Sequence, residues 1–279
     1  MDTGICIFLE NADAEICKNA LHLSGLRDCK KQMGKRSMNE KKYDFDLFCR
    51  GLEKLEIFLS DEQIQKFLKF YEMMVEKNKF MNLTAVTDFE DVVEKHFLDS
   101  LCLNQITDLS KVRNMIDLGT GAGFPGIPLK IVYPNISMVL IDSLNKRISF
   151  LGEVIQNLDL NGIEAVHGRA EEIGRNGKYR EKYDLCVSRA VANLSVLCEY
   201  CIPFVEDGGY FIAYKGPEVE DELKNAENSI QVLGGKVEEV KSYQIPETDM
   251  GRTLIKIRKI KKTPKKYPRK AGTPSKNPL

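Results

Sequence analysis

Apolar residues are spaced along this chain in two different rhythms, and the change between them divides it. Residues 1–37 show no sustained periodicity and end in the basic run Lys30-Lys-Gln-Met-Gly-Lys-Arg36. They read as a dispensable or mis-started leader, with ordinary globular sequence beginning at Met38. From Ser60 the spacing becomes helical: Ile64, Phe67, Leu68, Tyr71, Met74 and Val75 recur every three or four positions and share one face. Ser60-x-x-Gln63 in front of them is a capping box, whose hydroxyl and amide satisfy two otherwise orphaned N–H groups. Thr87-x-x-Glu90 predicts the same device ahead of a second helix carrying Val92, Val93, Phe97, Leu98 and Leu101. Between them, Asn82–Thr87 is a polar loop. A helical N-terminal segment is expected over 38–108.

From residue 113 short apolar runs alternate with helical patterns. Strands are predicted at Asn114–Leu118, Ser137–Ile141, Ile163–His167, Tyr183–Val187 and Tyr210–Tyr214. A helix near Pro217–Leu233 precedes two more, Lys236–Tyr243 and Arg252–Arg258, with no helical pattern between them. Strands separated by helices imply a parallel sheet covered on both faces, and the helix-free link implies an antiparallel hairpin at its edge. The expected class is α/β, with the sheet domain over 109–260 and a basic, proline-containing tail over 261–279.

Composition changes this picture in one respect. The 279 residues include 41 basic and 41 acidic side chains, a formal net charge of zero that argues against a nucleic-acid binder. The zero is a cancellation, however. Ten basic residues and no acid lie from Lys256 onward, which leaves 31 basic residues against all 41 acidic ones in 1–255. An acidic body carries a basic tail, so attraction to a polyanion is confined to that tail and the mouth of any cleft. No apolar run approaches the roughly 20 residues of a membrane helix, and the N-terminus fits no secretory pattern. Eight scattered cysteines are then most simply reduced core thiols in a cytoplasmic protein. Cys198-x-x-Cys201 lacks a second ligand pair, so no metal is expected.

The stretch Asp117-Leu-Gly-Thr-Gly-Ala-Gly-Phe-Pro-Gly126 turns out of the first strand. Its bland reading is a tight packing turn. Its chemical reading is a loop where backbone approaches a ligand that a Cβ would block, so Gly121 is a candidate contact. Gly121-x-Gly123-x-x-Gly126 also satisfies dinucleotide spacing, which alone is weak evidence for any one cofactor. Asp117 would repel a pyrophosphate and welcome an amine. Asp142, 23 positions beyond Gly119, ends the second strand where a carboxylate can accept from two ribose hydroxyls. A ligand with a ribose, an amine and no phosphate fits both acids, which describes S-adenosylmethionine better than NAD.

In this order, that stretch, Asp142-Ser-Leu-Asn-Lys-Arg147, Arg169-Ala-Glu171, Ser188-Arg-Ala190 and Lys215-Gly216 resemble the small-subunit ribosomal RNA guanine-N7 methyltransferases (RsmG, or GidB). The resemblance covers the chain from about Met38 through the tail Thr263–Pro278, leaving residues 1–37 outside it. It implies a class I, Rossmann-like methyltransferase fold with a seven-stranded sheet. It implies methyl transfer to N7 of one guanine in a decoding-region loop of 16S rRNA, in naked RNA or a small-subunit particle. It further implies that Gly119 and Phe124 line the cofactor, Asp142 meets the ribose, Ala170 and Glu171 frame the adenine, and Arg189 stands at the site.

Guanine N7 carries a lone pair and no proton, so no general base is expected. His96 is then either a packed helix residue or, with Asn82, part of the guanine pocket, where the resemblance places this segment. Lys215 ends the fifth strand and is expected to reach RNA phosphate or the base. A monomer is expected. The competing readings are a small-molecule methyltransferase, a non-catalytic RNA-binding module and an NAD oxidoreductase. The basic tail argues against the first, the intact acid–glycine set against the second, and phosphate repulsion against the third. On this reading, truncation after Arg258 costs RNA binding more than cofactor binding.

Overall fold

The computed structural model describes residues 43–279, so the expected leader over 1–37 lies outside the described residues. The chain divides into two compact units, residues 1–49 and Arg50–Leu279. In the first, the described residues open helix α1 (Asp46–Lys54), with the Asp46 N–H held by Asp44 Oδ1 at 2.8 Å. All candidate site residues belong to the second.

In that unit the end of α1 is followed by α2 (Asp61–Met81), whose capping box forms as predicted. Gln63 N–H donates to Ser60 Oγ at 3.2 Å, and Ser60 N–H donates to Gln63 Oε1 at 2.9 Å. The buried face consists of Ile64, Phe67, Phe70, Tyr71 and Met74, with Leu68 and Val75 only half-buried at its margin. Phe70 displaces them because it meets Phe97 and Phe124, at ring-centroid distances of 6.0 and 5.3 Å. The second helical region comprises α3 (Phe89–Val92), a π-helical stretch (Val93–Leu98) and α4 (Asp99–Leu101). Its cap is Asp88 and not the predicted Thr87: Asp88 Oδ1 accepts the N–H groups of Glu90 and Asp91 at 3.1 and 3.4 Å. A carboxylate there takes two orphan donors and complements the helix dipole. Thr87 instead offers its carbonyl to Tyr71 OH at 2.9 Å.

The seven strands form one sheet, β1 (Asn114–Leu118), β2 (Ser137–Asp142), β3 (Ile163–His167), β4 (Tyr183–Arg189), β5 (Val205–Lys215), β6 (Gly235–Gln244) and β7 (Gly251–Lys259). Their order is β3-β2-β1-β4-β5-β7-β6, with the first five parallel and β7 inserted antiparallel between β5 and β6. This is the class I methyltransferase sheet, and the hairpin inferred from the missing helix closes it. The helices after α4 are α5 (Gly126–Val132), α6 (Asn145–Asn157), α7 (Ala170–Ile173), α8 (Leu194–Cys201), α9 (Glu220–Leu233) and α10 (Thr273–Lys276). Helix α8 had no periodic signal because seven of its eight residues are buried, leaving no polar face to mark a turn. Its Cys198 and Cys201 sit in the main core with Cys186, Phe211 and Ile255. Burial pushes both thiols up, which keeps them protonated. Among the described residues no cluster of three metal-ligating side chains occurs, and no helix is long and apolar enough to cross a membrane.

The tail departs most from expectation. It is not a solvated end hung from the body but a strap folded along α8 and α7. Arg269 donates from Nε and Nη2 to the buried Glu199 carboxylate at 2.7–3.0 Å. Lys259 Nζ is buried against Ile202 O (2.9 Å) and Thr263 Oγ1 (2.7 Å), and Tyr267 joins the main core. Lys259 and Arg269 are thus internal counterparts to fixed acceptors. Ser60→Ala should lower stability in urea by about 1 kcal/mol. Thr87→Ala should change it by less than about 0.5 kcal/mol, since Asp88 does the capping.

Candidate active site

The carboxyl ends of β1, β2, β4 and β5 bring Leu118, Asp142, Arg189 and Lys215 to one edge of the sheet, where α/β folds bind ligands. The glycine loop leaves β1 pinned to β2 through Gly119 N–H to Ile141 O, 2.8 Å. Gly119 has φ +71°, and a Cβ there would run into the Val191 side chain. Gly121 has φ +62°, and a Cβ there would meet only Gly119 O, at 4.0 Å. Its space is open on the cleft side, as close backbone approach to a ligand requires.

Two buried carboxylates hold this loop. Asp142 Oδ2 accepts the Gly121 N–H at 3.0 Å and Arg147 Nη1 at 3.1 Å, while Oδ1 accepts the Leu144 N–H at 2.9 Å. A carboxylate offers about four acceptor positions, and three are taken. A grip on two ribose hydroxyls therefore requires the half-exposed Arg147 to turn aside. Asp117 Oδ2 accepts the Gly126 N–H at 2.9 Å. Its Oδ1 and the neighbouring Thr120 Oγ1 are buried without a hydrogen-bond partner. Burial pushes the Asp117 carboxyl up to about 6, against the pull of the neighbouring Thr120 hydroxyl and the Gly126 N–H. A buried carboxylate oxygen with no hydrogen-bond partner fits a cationic amine and opposes a phosphate.

The helical segment supplies the opposite wall. His96 stacks on Phe124 with ring centroids 4.5 Å apart, and the Arg189 guanidinium lies 5.3 Å from the same ring. Arg189 Nη1 donates to Asp99 Oδ2 at 2.6 Å and to Lys95 O at 3.2 Å. Tyr243 OH donates to the other Asp99 oxygen at 3.2 Å, and Arg252 approaches it at 3.7 Å. The π-helical turn makes this convergence possible: Asp99 N–H reaches back five residues to Glu94, and the widened turn presents the Lys95 carbonyl to Arg189. His96 Nε2 lies 3.0 Å from Thr84 Oγ1. Burial and the Arg189 charge lower its pKa to about 4, so the ring is neutral near pH 7.

A family model described as GidB, rRNA small subunit methyltransferase G, matches residues 63–250. Proteins named ribosomal RNA small subunit methyltransferase G are similar along nearly their whole length. The one from Lachnoclostridium phytofermentans is 52% identical, over 85% of this chain and 98% of that protein. The Alkaliphilus metalliredigens protein is 53% identical over 82% and 96%, and the Clostridium novyi protein 46% over 87% and 100%. The chain belongs to the rRNA small subunit methyltransferase G family.

In this methyltransferase G chain, the remaining predicted residues are placed unevenly. Gly119, Gly121, Phe124, Asp142 and Arg189 come together at the cleft. Ala170 and Glu171 start α7, with the Gly168 N–H held by Asp142 O at 3.1 Å, so they adjoin it. Yet the Glu171 carboxylate turns away, its Oε1 accepting the Gly272 N–H of the tail at 2.8 Å. Lys215 does not present a free ammonium: it donates to Ala192 O at 2.8 Å and pairs with Glu222 at 2.6 Å. A strand-end lysine was expected to reach outward, but α9 supplies a carboxylate that folds it over the Ala192 loop. Asn82 is an exposed left-handed C-cap of α2, with φ +50°. The residue missed from the sequence is Asp99, whose spacing of three from His96 was visible but whose buried pairing with Arg189 was not.

The neutral His96 yields a stability test. The unfolded chain takes up this proton near 6.5 and the folded one only near 4, so the unfolded state binds more protons between those values. Stability should fall as pH drops from about 6.5 to about 4, by up to about 3 kcal/mol. Urea melts of wild type and His96→Gln at pH 7 and 4.5 check this, the variant showing the smaller loss.

Proposed function

We propose that this protein transfers a methyl group from S-adenosylmethionine to N7 of a guanine in the 16S rRNA of the small ribosomal subunit, acting in the cytoplasm as a monomer. Family membership supports the rRNA methyltransferase activity. The observation that carries the cofactor reading is Asp117: one oxygen fixes the loop at Gly126, and the other is buried without a hydrogen-bond partner near the end of β1.

S-adenosylmethionine supplies an electrophilic methyl group on its sulfonium. The chain's task is to hold both reactants in line, and orientation alone can supply about 7–11 kcal/mol. In this reading Asp117 meets the amino group, Gly119 and Gly121 allow backbone approach, and Asp142 meets the ribose. Ala170 and the backbone of Glu171 border the adenine. Since N7 has no proton to lose, no side chain must act as base, and the neutral His96 is consistent with that. His96 and Phe124 form a stacked aromatic wall suited to a planar base, with Asn82 at its rim. Arg189, fixed by Asp99, places a positive charge at that wall. Lys215 orders the Ala192 loop and does not itself meet phosphate.

Lys261, Lys262, Lys265, Lys266 and Lys270 are exposed on the strap, with no acidic partner among the described residues. They are the surface that suits phosphate. Lys265→Glu with Lys266→Glu should weaken binding of a 16S rRNA fragment about tenfold in filter binding and leave cofactor affinity unchanged.

Asp117→Asn should weaken S-adenosylmethionine about 10- to 100-fold in calorimetry, as loss of a charged partner predicts. Wild-type affinity should fall as pH drops through about 6, where Asp117 takes up its proton, and the variant should show no such fall. Mass spectrometry of 16S rRNA from cells with and without the gene tests the reaction. Loss of N7-methylguanosine without the gene supports it, and an unchanged level overturns it.

A further inference from the structure

We infer that the C-terminal strap, residues 260–279, is a positioning element for the adenine side of the cofactor cleft. The inference rests on the cleft reading above and adds a role for a segment whose composition points only to RNA. Helix α7, which carries Ala170 and Glu171, has four residues and no side-chain cap. Too short to hold its own orientation, it needs outside support, and the strap provides that at several points.

Gly272 N–H donates to the buried Glu171 Oε1 at 2.8 Å. Just past α7, Arg175 Nε donates to Pro268 O at 2.8 Å. Arg180 Nη1 bridges Gly174 O at 3.0 Å and Tyr267 O at 2.8 Å, and its Nη2 reaches Thr263 O at 2.8 Å. A Cβ added at Gly174 would stand 3.3 Å from Pro268 Cγ, so helix end and strap are in close packing. The strap is in turn anchored on α8. The Arg269 N–H and guanidinium both converge on Glu199, which is 1% exposed. Ser195 Oγ donates to Leu279 O at 3.0 Å, and the Tyr200 and Ser275 hydroxyls pair at 3.0 Å. Force on α7 therefore passes through the strap to a helix buried in the main core. The basic residues divide by direction: Lys259 and Arg269 turn inward as anchors, while Lys261, Lys262, Lys265, Lys266 and Lys270 are exposed.

This alters the expected effect of losing the tail, since cofactor binding suffers with RNA binding. Arg269→Ala in the full chain should raise Kd and KM for S-adenosylmethionine about tenfold, with kcat and rRNA-fragment affinity within twofold of wild type. Arg269→Lys, which keeps the charge but not the fork, should fall between them. A folded Arg269→Ala protein that binds S-adenosylmethionine as wild type does would overturn the inference and leave the cleft reading intact. If wild type itself bound none, both would fall.

Amide exchange of wild type decides the matter if the variants do not fold. Coupling is reciprocal, so S-adenosylmethionine should slow exchange in 168–174 and also at Gly272 by several fold. Slowing in 168–174 with the strap unaffected would overturn it.

Discussion

A carboxylate removed from water at a strand end must be met by donors, and at Asp117 and Asp142 those donors are mostly backbone N–H groups of the glycine loop and its continuation. Gly126 is held by Asp117, and Gly121 and Leu144 by Asp142. The loop cannot shift without stranding a buried charge, so two acids on adjacent strands fix the path of the seven residues between β1 and α5. The same constraint leaves one Asp117 oxygen unpartnered.

A third buried acid, Asp99, joins the helical segment to the sheet. Asp99 lies at the end of the π-helical turn and takes Arg189 from β4, Tyr243 from β6 and Arg252 from β7. A fully desolvated pair of this kind contributes little net stability, but removing one partner leaves an uncompensated charge. What it provides is placement. Arg189 is held at the rim of Phe124, and its proximity helps keep His96 neutral. The aromatic wall, the cation and the uncharged imidazole are consequences of one junction between helix and strand.

The features legible in the sequence were those encoded locally. The Ser60 box, the strand–helix alternation and the helix-free link before β7 each depend on neighbours within a few positions, and each appears as expected. Helix α8 was hidden because burial on all sides removes the polar half of the period. Thr87 competed with Asp88 one position away, and the carboxylate is the one that accepts the N–H groups of Glu90 and Asp91. The π-helical turn has no sequence signature in this chain, yet it brings Asp99 and the Lys95 carbonyl to Arg189.

By itself, the sequence determined the sheet's connectivity, the acid–glycine loop and the set of residues at the strand ends, because periodicity and turn chemistry are short-range. The tertiary structure decided how the charges are used. Lys215, Glu171 and Arg269 are each of a type that faces solvent or ligand on composition alone, and each is satisfied internally by a partner 7, 101 or 70 residues away. Contacts over 70 or 101 residues form only after the chain has folded. The basic tail that first stood out as a charge imbalance is therefore two things at once: an internal brace through Lys259 and Arg269, and an outward row of lysines.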